Sequence, residues 1–138
     1  MKYPEYSREL LRMAAEDQDE VRNMQRTIDA LQTPAERKRF RQKVADNCHR
    51  RADRMIEILD DIGAPTFEKV GAEAAEVVSL FALHSYVDQM KTVLAVYEQQ
   101  FQRDPDSIYK QAIPPLTDRI MIVEQRRQKF GTNWSVTQ

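Results

Sequence analysis

The chain has 138 residues and a net charge of −1, with 41% hydrophobic and 31% charged residues. That length suits one domain around one core, and the composition excludes a disordered chain. The balanced charge gives no global electrostatic case for nucleic acid or an acidic membrane, so neither is expected as a partner. Glycine is scarce, with three residues, while Ala, Leu, Glu, Gln, Arg and Met are common; this favours helices.

No apolar run approaches the roughly 20 residues that span a bilayer. The opening "MKYPEYSREL" lacks the apolar segment of a signal peptide. Cys48 is the sole cysteine, which excludes an internal disulfide and fits a reducing compartment; the expected location is the cytoplasm. Neither a repeat nor a linker interrupts the chain, so residues 1–138 read as a single all-helical domain.

Taken in chain order, the first helix is expected over about Glu9 to Ile28, with Ser7 as its N-cap and Leu10, Ala14, Val21 and Ile28 as its apolar stripe. In "QTPAERKRF", Thr33 can cap a second helix and Pro34 suits its first position. This helix runs to Ile62, stops at Gly63, and carries Phe40, Val44, Cys48, Met55, Leu59 and Ile62 on one face. "GAPTFEKVG" is a connection punctuated by glycine and proline. A third helix spans about Ala72 to Ser85, with Ala74, Val77, Val78 and Phe81 on its face. A fourth carries Met90, Val93, Leu94, Tyr97 and Phe101 and ends near "RDPD". These two can also be read as one bent helix, because "HSYVDQ" holds no strong breaker. "SIYKQA" suits a short helical turn. "IPPLTDR" opens the last helix, from Leu116 to Phe130, which Gly131 stops. Its "DRIMIV" is apolar almost all round and reads as central. The expected fold class is all-α: a bundle of about five helices, with an ordered C-terminal tail docked through Trp134.

Several polar residues fall where apolar ones belong. On helical wheels Asp17 and Gln18 flank the first stripe, with Arg22 on its shoulder; Arg51 falls inside the second stripe; His84 shares the face of Val77 and Phe81. Asp118 and Arg119 sit at the start of the last helix, and Arg127 lies on its stripe. One inward histidine is ordinarily a satisfied core residue, an inward Asp can cap a helix or pair with arginine, and a long Arg can snorkel outward. Asp17, Gln18, Arg51, His84, Arg119 and Arg127, from four helices, are harder to place in a plain bundle, because buried charge costs several kcal/mol per ion unless it is paired. They form either a buried ion network or the lining of a polar pocket between helices, and the number of them favours the pocket.

Other sites are poorly supported. The chain's two histidines and one cysteine give no zinc spacing, and "DNCH" lacks the paired Glu-x-x-His motifs of a di-iron bundle. No metal and no cofactor are therefore expected. Phosphate-binding glycine loops and the Gly-x-Ser-x-Gly elbow are absent. Cys48 reads as a small core residue and His49 as solvated. The basic run Arg37 to Lys43 reads as a solvated helix face.

"ELLRMAAEDQDEVR", "GAPTFEKVGAEAA", "LHSYVDQ", "LTDRIMI" and "QKFGT" together resemble an uncharacterised bacterial family of small, mostly helical proteins known only as a domain of unknown function (family 6624). Its hallmarks are Asp-Gln-x-x-x-Arg, Gly-Trp-Pro-Thr…Val-Gly, Gln-His-Ala-Asp, Leu-x-Asp-Arg and Gln-x-Tyr-Gly-Thr-Gln. The resemblance runs from about Glu9 to Asn133. It singles out Asp17, Gln18, Arg22, Gly63, Pro65, Gly71, His84, Asp118, Arg119, Gln128, Gly131 and Thr132. The chain departs from the pattern at Ala64, Leu83, Phe130 and Asn133, where the family has Trp, Gln, Tyr and Gln. The resemblance implies positions and no reaction.

These residues lead to an expected function: a small cofactor-independent enzyme acting by acid–base chemistry on a small, anionic metabolite. In it His84 is the acid or base, with Asp17 or Asp118 orienting it. Arg22 and Arg119 hold an anionic group. Gln18 and Gln128 supply neutral hydrogen bonds, and Gly131 and Thr132 backbone donors. This enzyme requires His84, Asp17 and Arg119 to meet at one cavity. The alternative is a non-catalytic ligand-binding or assembly module, with a homodimer as one form, in which the same residues form a structural network.

Overall fold

The computed structural model describes residues 1–129, with the side chains of 127–129 left aside. Among the described residues there are six helices and no strand. They are α1 (Pro4–Ala30), α2 (Pro34–Ile62), α3 (Phe67–Val70), α4 (Ala72–Leu83), α5 (Val87–Arg103) and α6 (Ile113–Lys129), with two 3₁₀ turns, Pro105–Ser107 and Lys110–Ala112, between the last two. The chain is an all-α bundle.

Two boundaries differ from the sequence reading for local reasons. The first helix starts at Pro4, whose fixed φ and missing N–H suit the first turn, so Ser7 lies inside α1 and is buried rather than capping it. The backbone N–H groups of Lys2 and Tyr3 bond to the carbonyls of Glu68 (2.9 Å) and Lys69 (2.7 Å), which ties the N-terminus to α3. The last helix starts at Ile113, three residues early, because the 3₁₀ turn at Lys110–Ala112 leads straight into it. Other starts agree. Thr33 Oγ1 accepts from the Glu36 N–H at 3.1 Å, with Pro34 behind it. The segment read as a connection holds one helical turn, α3, which Thr66 caps in the same way. Gly63 and Gly71 have φ of 75° and 84°, a region that favours glycine, so the two hallmark glycines serve the turns on either side of α3.

The α4–α5 boundary is the break that matters for the site. Here the chain forms two helices and not one bent one. The N–H groups of His84 and Ser85 make tight bonds back to Phe81 and Ala82 (3.2 Å each). The Ser85 hydroxyl donates to the Ala82 carbonyl at 2.6 Å, while Gln89 accepts from the Tyr86 N–H at 3.0 Å and opens α5. Serine competing for a carbonyl ends the helix where glycine or proline is missing.

The core gathers Leu10, Met55, Ile58, Val70, Ala75, Val78, Phe81, Val93, Tyr97, Ile108 and Leu116, each at most 2% exposed. It lies at one end of the long α1–α2 hairpin: from Gln18 to Arg50 no residue is fully buried. Val21, expected in the stripe of α1, is accordingly 51% exposed. Phe101 is also exposed, on the rim of a groove with Ile113 and Pro114. The last helix is not central. Leu116 and Ile120 face the core, but Met121 and Ile122 are about half exposed, and so the apolar run "IMIV" belongs to a flanking helix. Lys91 of α5 pairs with Glu124 of α6 on the outside. No described helix is long and apolar enough to cross a membrane. Phe130, Gly131, Thr132, Asn133, Trp134 and the expected tail docking lie outside the described residues.

Candidate functional site

The inward polar residues meet where α1, α2 and the end of α4 pack together, just beyond the apolar core. Asp17 follows Leu10, Met13 and Ala14 on the buried face of α1, and its burial is nearly complete at 1% exposure. Arg51 projects from the matching level of α2 and is also buried. His84 caps α4 at its C-terminus, with its side chain 37% exposed. Had α4 continued into α5, His84 would sit in a helix interior; the Ser85 break places it at a helix end instead.

One carboxylate oxygen organises the junction. Asp17 Oδ1 lies 3.4 Å from Arg51 Nη2 and 3.5 Å from His84 Nδ1. It is also 4.0 Å from Cys48 Sγ, one turn before Arg51 on α2. The other oxygen, Oδ2, is buried with no hydrogen-bond partner among the described residues. Arg51 has a closer ion-pair partner in Glu20, one turn after Asp17 on α1, and Glu20 also accepts from Asn47 Nδ2 at 2.6 Å. Burial works against the Arg51 charge, and the Glu20 carboxylate more than offsets it, so the guanidinium is held above its ordinary pKa. Burial pushes the Cys48 thiol up, assisted by the nearby carboxylates and opposed by Arg51. Cys48 is therefore a protonated thiol at neutral pH and a poor nucleophile.

The remaining expected residues do not join them. Gln18 and Arg22 are exposed, and Arg22 faces Asp19 at 3.5 Å with both side chains 71% exposed. A helix of 3.6 residues per turn cannot turn Asp17, Gln18 and Arg22 inward together once Asp17 takes the buried seat. Asp118 and Arg119 are exposed on α6, which follows from that helix being flanking rather than central. The side chains of Arg127 and Gln128 lie outside those described, as do Gly131 and Thr132. The expected convergence of His84, Asp17 and Arg119 is thus limited to His84 and Asp17.

Three features of the site escaped the sequence reading. Glu20 falls outside the stripe, yet it is the main partner of Arg51. Cys48 was expected in the core, but it is half-buried at the polar junction. His49, expected in solvent, is half-buried and stacks on Tyr86, with centroids 3.9 Å apart and planes at 24°. The signal for Glu20 and Cys48 was their one-turn spacing from Asp17 and Arg51.

On the far side of Arg51 a groove of about 500 Å³ runs between α1 and α2, lined by Arg12, Met13, Glu16, Arg50, Asp53, Arg54 and Glu57 as well as Arg51. Arg54 is occupied there by Glu9 (3.0 Å) and Glu57 (3.0 Å). Asp17 and His84 do not line this groove.

No family model matches the chain, and no curated protein or solved structure is significantly similar to it. The family resemblance therefore rests on the five motifs. Two of them, Asp-Gln-x-x-x-Arg through Asp17 and the histidine motif through His84, meet at the junction.

Proposed function

We propose that the three-helix junction is the working site of a small helical enzyme, and that its chemistry is proton transfer on a small ligand. The observation that carries this reading is the buried Asp17 carboxylate 3.5 Å from Nδ1 of a histidine that is still 37% open to solvent. A carboxylate behind an imidazole orients the ring and fixes its tautomer, leaving the outer nitrogen to give or take a proton. Asp17 is the orienting group and His84 the acid or base. Arg22 and Arg119 cannot hold the ligand's anionic group from where they stand. Arg12 and Arg50, which line the adjacent groove and make no ion pair among the described residues, are the candidates to hold it instead. Acting within the cytoplasm, such a protein would take a soluble metabolite.

The second reading is a non-catalytic module in which Asp17, Glu20, Arg51 and His84 lock the register of α1, α2 and α4. Its specific support is the outward position of Gln18, Arg22, Asp118 and Arg119, which an anion-binding active site was expected to use.

Two measurements on His84→Gln separate them. As an active-site group half in solvent, His84 should be replaceable at a cost below about 1 kcal/mol of stability, while turnover in a screen of small carboxylates and phosphate esters falls by about 100-fold or more. A loss of about 1–3 kcal/mol from unsatisfied partners, with any detected turnover unchanged, would overturn the enzyme reading in favour of the register lock.

A further inference from the structure

Asp17, Cys48 and His84 come from three different helices, and each offers one ligand atom, all within 4.8 Å of one another. The arrangement is a triangle and not a relay. In a Cys–His–Asp relay the imidazole stands between the thiol and the carboxylate. Here the sulfur sits against the carboxylate oxygen itself, at 4.0 Å. Burial and the carboxylate beside it oppose thiolate formation and outweigh the Arg51 guanidinium 3.7 Å from the sulfur, so the thiol is not activated.

From this geometry we infer that Asp17, Cys48 and His84 form a three-ligand seat for a divalent metal ion of the zinc class. Tetrahedral zinc with a Zn–S bond of about 2.3 Å and Zn–N and Zn–O bonds of about 2.1 Å has an S···O edge of about 3.6 Å and an N···O edge of about 3.4 Å. The corresponding separations are 4.0 Å for Cys48 Sγ to Asp17 Oδ1 and 3.5 Å for His84 Nδ1 to Asp17 Oδ1. The N···O edge already matches, the S···O edge would need to shorten by a few tenths of an ångström, and the third edge, from Cys48 to His84, lies within 4.8 Å and would have to close on the tetrahedral value as the ion enters.

Two further observations point to a cation. Asp17 Oδ2 is buried without a hydrogen-bond partner among the described residues, so this carboxylate is under-satisfied where it stands, although the short distances of the seat run to Oδ1. The buried charges are also unequal: the two carboxylates of Asp17 and Glu20 face the single guanidinium of Arg51. A divalent ion that displaces the thiol proton brings two positive charges and exposes one further negative charge, which balances the cluster. Arg51 is the counterweight. Its Nη2 lies 3.4 Å from Asp17 Oδ1 and 3.7 Å from Cys48 Sγ, and it must lean onto Glu20, already its closer partner, when the ion enters. Three protein ligands would leave a fourth position for water, the pattern of sites that keep an open position. The donor set of one sulfur, one nitrogen and one oxygen suits zinc or cobalt(II) and disfavours magnesium and calcium.

The ion would take the same Asp17 Oδ1 and His84 Nδ1 that the acid–base reading pairs, so the two readings compete for one set of atoms, and the test of the seat uses no substrate. The metal-free full chain is titrated with Zn²⁺ by calorimetry and with Co²⁺ by absorption. The expected result is one ion per chain and a near-ultraviolet thiolate-to-cobalt band. Cys48→Ser should abolish the band, and both Cys48→Ser and His84→Gln should weaken Zn²⁺ binding tenfold or more. His49→Gln, one residue away from the set, should bind as the wild type does. Cys48 is the only cysteine, so its alkylation followed by intact mass gives a readout that needs no variant. Zn²⁺ should slow the reaction, and chelation should restore it. Absence of the cobalt band, Zn²⁺ binding that ignores Cys48 and His84, equal loss in His49→Gln, or alkylation at the same rate with and without Zn²⁺ would each overturn the assignment. A metal-binding failure leaves the His84–Asp17 chemistry standing, and a failure to find turnover leaves the metal seat standing.

Discussion

Replacing Arg51 with methionine tests the electrostatic account of the junction most directly. The change keeps a long unbranched side chain and removes the charge. Arg51 is 3% exposed and is the cation facing both Asp17, 1% exposed, and the partly buried Glu20. Glu20 retains Asn47 and an edge of solvent, with its side chain 24% exposed, so it tolerates the loss. Asp17 has no such outlet: one oxygen is already without a partner, and the other would keep only the His84 and Cys48 contacts. Stranding one member of a buried ion pair costs about 3–5 kcal/mol. For a chain of this size that corresponds to a melting temperature lower by about 10–20 °C. The converse change, Asp17→Asn, leaves Arg51 paired with Glu20 and is expected to cost less, about 1–3 kcal/mol. The double variant should therefore be more stable than Arg51→Met alone, because the charge that was stranded is gone. Urea denaturation of the four proteins closes the cycle. An Arg51→Met loss below about 1 kcal/mol, or a double variant whose losses simply add, would refute the reasoning.

Two other predictions use groups outside the junction. Tyr97 is fully buried in the core, its hydroxyl has no partner among the described residues, and burial holds its pKa well above the ordinary phenol value. Tyr97→Phe removes an unsatisfied polar atom at little cost in packing, so urea denaturation should show equal or higher stability, and a loss above about 1 kcal/mol would reveal a hydrogen bond. Glu9 is held below its ordinary pKa by hydrogen bonds from Arg54. A depressed folded-state pKa contributes stability that is present above the unfolded carboxylate value and lost as pH falls through the folded one. Glu9→Gln should therefore cost up to about 1 kcal/mol at pH 7, since the pair is half in solvent. The difference from the wild type should shrink to nothing in melts at increasingly acidic pH, and a difference that persists there would contradict the ion-pair origin.

The fold was legible where one residue type carries one physical instruction. Thr33–Pro34 start α2, Gly63 stops it, and the stripe Ala74, Val78 and Phe81 faces the core. The end of the third helix near Ser85 was legible, but a single bent helix stayed open beside it, because the break depends on which carbonyl a hydroxyl reaches and not on a residue that forbids helix. The site divided along the same line. A wheel gives an angle on one helix, and it brought Asp17 and Arg51 inward as the structure does, whereas His84 ends α4 with its side chain 37% exposed. It does not say how far along the helix the core extends. Val21, Arg22 and Gln18 were misplaced for that reason: the core ends near Asp17, and past that level an inward angle leads to half-buried hairpin surface. Asp118 and Arg119 were misplaced because a run of apolar residues on α6 suggested burial on all sides, when Leu116 and Ile120, with Ile113 and Val123 beside them, form a single core-facing side. The same limit explains Cys48. Its angle is that of a core residue, but its level along α2 is that of Asp17 on α1. A residue with a core angle at the polar edge of the core has the junction for its environment, and there a thiol meets a carboxylate and an imidazole instead of methyl groups.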